Sequence, residues 1–72
     1  MKELRFHRDL YRGECVDSAV QLYARYAALT TAEEPTYWVV RVEASAPERE
    51  ERIGNELANY ALGLTVRDGG PR

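Results

Sequence analysis

The sequence predicts an α+β fold: a two-layer sandwich whose elements run β-α-β-β-α, with an optional short final strand. Three observations lead there. The apolar period switches from two residues to about 3.6 and back along the chain. Each helical stretch carries an apolar stripe, and three strands offer one apolar face each, which pairs a helical layer with a sheet. At 72 residues there is room for one small domain only.

Glu3 to Leu10 alternates, with Leu4, Phe6 and Leu10 on one face and Glu3, Arg5, His7 and Asp9 on the other. Period two marks a strand with one buried face. Tyr11-Arg12-Gly13 breaks it, and Gly13 serves as a tolerable N-cap. From Glu14 onward Val16, Ala19, Val20, Tyr23 and Ala27 recur at helical steps, with Glu14 and Asp17 in the first turn, where carboxylates complement the helix dipole. Ala24, Tyr26 and Leu29 widen the stripe, so this helix is expected to be buried on more than one side. Leu29 to Thr31 forms a short second strand, and Ala32-Glu33-Glu34-Pro35 reads as a turn.

Thr36 to Ala44 is the clearest strand. Trp38, Val40, Val42 and Ala44 share one face; Tyr37, Val39, Arg41 and Glu43 share the other. Apolar groups on both sides near its start predict a central strand. Ser45-Ala46-Pro47-Glu48 then starts a helix, with Ser45 as cap, Glu48 at the capping-box position and Pro47 in the first turn. Residues 48–52 form a charged, solvated turn. Ile53, Leu57, Tyr60, Ala61 and Leu64 form the inward stripe. Gly63 is a C-terminal stop signal, which leaves Leu64-Thr65-Val66-Arg67 for the short final edge strand. Residues 1–67 thus make one domain, and 68–72 are expected to be a flexible tail.

Hydrophobic residues at 44% and charged residues at 31% are ordinary globular values and exclude wholesale disorder. A formal net charge of −2 argues against a nucleic-acid partner, which would favour a basic domain. The N-terminus lacks the apolar run of a signal peptide, and no stretch approaches the roughly 20 apolar residues of a membrane span. The expected location is the cytoplasm, without membrane attachment. A single cysteine allows no internal disulfide.

No residue set points to a reaction. His7 and Cys15 are the sole histidine and cysteine, so they supply at most two ligands where zinc needs three or four. Cys15 lies in a first helical turn, where a thiol pKa can be lowered. A nucleophile also needs a base, and only His7 could provide one. Packing as a small apolar group is the better expectation for Cys15. Within the acidic cluster Glu48, Glu50, Glu51 and Glu56, Glu48 with Arg52 and Arg49 with Glu56 lie at or near helical surface-pair spacings and face solvent. No glycine-rich phosphate loop precedes a helix. The expectation is a non-enzyme with no cofactor and no metal.

Five tyrosines and Trp38 are many for so short a chain. Tyr23, Tyr26, Tyr60 and Trp38 are expected to fill a core short of large aliphatics. Tyr37 and Val39, with Tyr11, are different. With both helices on one face of the sheet, these three become exposed apolar groups, and such patches mark interfaces. They are the candidate partner-binding residues.

Phe6 and Tyr11 around the first strand, the helix aromatic Tyr23, the Val40-Arg41-Val42 strand and Asn55-Glu56-Leu57 in the last helix together resemble the small HxsD-type proteins of His-Xaa-Ser peptide-maturation systems. The resemblance spans about residues 4 to 62. It implies a non-catalytic companion of radical-SAM enzymes that modify a ribosomally made peptide, and it carries over no catalytic residues. The expected function is therefore an accessory or binding protein with a protein or peptide partner. The alternative is a small homodimeric structural or regulatory protein unrelated to peptide maturation.

Overall fold

A computed structural model describes residues 1–67 and 69. It has the predicted α+β order: β1 (Lys2–His7), α1 (Gly13–Tyr23), β2 (Ala28–Glu33), β3 (Tyr37–Glu43) and α2 (Pro47–Arg67). The three strands form one antiparallel sheet of order β1-β3-β2, so the strand with apolar groups on both faces is indeed central. Leu4 pairs with Val40 and Phe6 with Trp38 on one side of β3; Leu29 pairs with Val42 and Thr31 with Val40 on the other. These residues make the inner face of the sheet; the helices pack on it over β1 and β3 and reach little of β2. The core is Phe6, Val16, Ala19, Val40, Val42, Ile53, Leu57 and Ala61. No helix among the described residues is long and apolar enough to cross a membrane.

Several boundaries differ from those the sequence predicts. β1 ends at His7, where the chain turns as Leu10 and Tyr11 both donate backbone bonds to the His7 carbonyl; Leu10 is left exposed. β2 extends through Ala32 and Glu33, residues of low strand propensity that pair with Val39 and Trp38 all the same. Ladder bonds and cross-strand packing override intrinsic preference there. α1 begins at Gly13, with extended Arg12 as its N-cap, and stops at Tyr23. It is buried on one side only, through Cys15, Val16 and Ala19. The chain must turn back at residues 24–27 to bring β2 beside β3.

The largest difference is at the C-terminus. No final strand forms; α2 runs through Gly63 to Arg67. Gly63 has open space where a side chain would be and does not take a positive φ, so it neither caps nor kinks the helix. Beyond it, Thr65 is fully buried, and its Oγ1 accepts the Arg12 backbone N–H at 3.4 Å. The last turn of α2 is thereby tied to the entrance of α1. Of the expected flexible tail only Gly69 is described; residues 68 and 70–72 lie outside the described residues.

Candidate functional site

The three residues the sequence singles out do not form one patch. Tyr37 is half-buried on the outer face of the sheet, where the Arg5 guanidinium lies 4.8 Å from its ring centroid and the His7 ring 5.2 Å away. Val39 shares that face but is only 1% exposed. Its neighbours there are Arg5 and Ala32 across the strands, with Tyr37 and Arg41 two residues away on β3. The long side chains are held in place by one another. Arg5 bonds both Glu3 (2.8 Å) and Glu34, and Arg41 reaches Glu3 at 3.4 Å. Arg5, with Arg41 behind it, holds the Glu3 carboxyl below the usual carboxylate range. The expected apolar surface is therefore a charged lattice with its valine underneath.

Tyr11 lies on the other side of the sheet. Its ring meets Phe6 edge-to-face at 4.9 Å, and its carbonyl accepts the Trp38 indole N–H at 3.4 Å. It is core packing. The turn after β1 carries the chain over the inner layer, which no alternation pattern could signal.

Cys15 and His7 are also kept apart. Cys15 is 2% exposed on the helical layer. His7 meets Tyr37 edge-to-face on the outer face of the sheet, and its Nδ1 accepts the Asp9 backbone N–H at 3.1 Å. No thiol–imidazole pair forms, and no group of three or more potential metal ligands occurs among the described residues.

A different surface stands open, along one edge of the sheet. α1 packs on α2 and β3, and α2 packs on β1 and β3; neither packs substantially on β2. β2 is thus an edge strand whose inner face is largely uncovered, with Thr31 and Glu33 both exposed. Between β2 and the start of α1 runs a cleft of about 280 Å³. Val16, Trp38 and Val40 supply apolar walls, and Glu14, Asp17 and Glu33 stand along it. Gly13 shapes one end. A Cβ there would lie 2.8 Å from Trp38 Cζ2, so glycine alone lets α1 start against the indole. Trp38 is clamped in turn by the Arg8 guanidinium, 3.9 Å from the ring centroid, while Arg8 Nη1 donates to the Glu34 carbonyl at 2.7 Å.

A second exposed surface lies on the helical layer. Tyr26 and Tyr60, expected in the core, are 48% and 39% exposed, and Leu22 is 46% exposed. Both tyrosine rings pack against half-buried Tyr23, at 6.0 and 6.2 Å. Burial, with Glu56 nearby, pushes the Tyr23 phenol above its ordinary pKa. The early end of α1 puts Tyr26 in a turn and off the stripe.

Neither a family model, nor a curated protein, nor a solved structure matches the chain.

Proposed function

We propose that the protein is a non-catalytic accessory module that takes up an extended segment of a partner protein or peptide along the free edge of β2. One observation carries this reading: the helices pack on β1 and β3 and little on β2, which lies at the edge of the sheet with Leu29 half-buried and Thr30 to Glu33 exposed. An edge strand presents unpaired backbone N–H and C=O groups, and adding a strand satisfies them. β2 reads Ala-Leu-Thr-Thr-Ala-Glu, with no proline, lysine or arginine to blunt it. The other edge, β1, carries Lys2, Arg5 and His7 and lies under α2. The resemblance to HxsD-type proteins supports the same reading and names the partner class, a radical-SAM peptide-modifying enzyme or its substrate peptide, within the cytoplasm.

Two adjacent substitutions test it. Along an edge strand, N–H groups point alternately to the paired neighbour and to the open side. Of Thr30→Pro and Thr31→Pro, one removes an outward N–H and leaves the β3 ladder intact. That variant is expected to keep its folded spectrum and to lose retention of the partner, assayed by co-purification with the products of adjacent genes. Undiminished retention by both variants would contradict edge docking.

The second reading, a small homodimeric structural or regulatory protein, has its own observation in the exposed Leu22, Tyr26 and Tyr60 patch. Sedimentation at micromolar concentrations distinguishes it: a dimer that Tyr26→Glu dissociates favours this reading, and a monomer at all concentrations removes it.

A further inference from the structure

The cleft beside β2 carries information about the chemistry of its occupant. Three carboxylate side chains, Glu14, Asp17 and Glu33, line it, and no basic residue does. Glu14 has Arg12 at 3.8 Å. Asp17 and Glu33 have no cation within salt-bridge distance among the described residues, although basic residues make up ten of the 72. The walls between these acids are Val16, Trp38 and Val40. We propose that β2 and this cleft receive an extended segment with lysine or arginine at alternate positions.

The geometry follows from strand addition. In a segment paired to β2, every second side chain points to the inner side of the sheet and so over the cleft. A lysine or arginine there lays its aliphatic stem in the mouth of the cleft beside half-buried Trp38, above the buried Val16 and Val40, and carries its charge to Asp17 and Glu33. An aliphatic side chain would cover the same walls but leave both carboxylates beside apolar surface without a counter-charge. A second copy of this chain fits worse: β2 itself carries no lysine or arginine to bring to these acids.

This inference rests on the edge-docking reading, and its test separates the two. The isotopically labelled chain is titrated with three octapeptides, (Lys-Thr)4, (Glu-Thr)4 and (Val-Thr)4, and amide shifts are followed. The expected result is that (Lys-Thr)4 moves the resonances of residues 28–33 and the Trp38 indole, and binds more weakly as salt rises. The double substitution Asp17→Lys/Glu33→Lys should weaken (Lys-Thr)4 by about tenfold and confer binding of (Glu-Thr)4. Both sites are exposed; if the double variant loses its folded spectrum, Asp17→Asn/Glu33→Gln replaces it, with a smaller loss expected. If (Val-Thr)4 or (Glu-Thr)4 moves the β2 resonances as strongly as (Lys-Thr)4, the cationic preference is overturned and edge docking stands. Shifts confined to Leu22, Tyr26 and Tyr60 overturn both. If no peptide binds, the inference is overturned, and edge docking is decided by the proline variants.

Discussion

Glu50 is a carboxylate only 7% exposed, on a turn where the sequence pattern predicts solvent. One oxygen accepts the Ala44 backbone N–H at 3.0 Å and the other faces the Met1 ammonium at 2.9 Å. The backbone bond first, and the ammonium second, hold its pKa below the ordinary carboxylate value against the opposing effect of burial. A depressed folded-state pKa contributes stability above the unfolded value, near 4.3, and that contribution is lost as pH falls through the folded value. Glu50→Gln is therefore expected to melt lower than the parent at pH 7, with the gap closing below about pH 4. A gap independent of pH in thermal melts would show that charge is not the cause. Cys15 belongs to the same scale. At 2% exposure it should react with a thiol reagent only as fast as the domain opens. Cys15→Ser should cost about 1 kcal/mol for the buried hydroxyl. Rapid, complete labelling of the native protein would contradict its placement.

At the scale of elements, Gly63 separates two local rules. As a helix stop it would hold a left-handed conformation that a side chain resists. Inside a continuous α2, on an exposed face with nothing within 4 Å, it is an interior glycine with ordinary helix cost. Gly63→Ala should then stabilise the protein by about 0.5–1 kcal/mol in urea unfolding; destabilisation would restore the stop and the final strand. The opposite holds where elements touch closely. At Gly54 a Cβ would meet Lys2 Cδ at 3.0 Å, so α2 has no side chain of its own there and the Lys2 and Leu4 side chains of β1 pack against its backbone.

For the whole molecule, the arrangement of helices explains both its thin margin and its open surface. Two helices cover a three-stranded sheet incompletely, and a single-cysteine chain of this length has no covalent support for its core. Leu57 is fully buried at the centre of that core. Leu57→Ala should cost about 3 kcal/mol, a large part of the stability such a domain has. Urea unfolding should show a much lower midpoint with an unchanged slope. A loss under about 1 kcal/mol would mean that the core lies elsewhere.

Period and composition determined the element types, their order and the central place of β3, because each depends on which face of a local segment is apolar. Phe6, Val16, Val40, Val42 and Leu57 are all legible that way. Boundaries were less so: α2 passes Gly63, and its last turn buries Thr65 against Arg12, a residue distant in sequence. The candidate surface was the least legible. Alternation identifies the two faces of a strand, but whether Val39 is open depends on Arg5 from the neighbouring β1 and on Arg41 two residues along β3. That β2 is the uncovered edge follows from where two helices settle against each other, a contact that leaves no period in the chain. The acids along the cleft come from α1 and β2, on either side of a turn. Only the tertiary packing decided that they face one space.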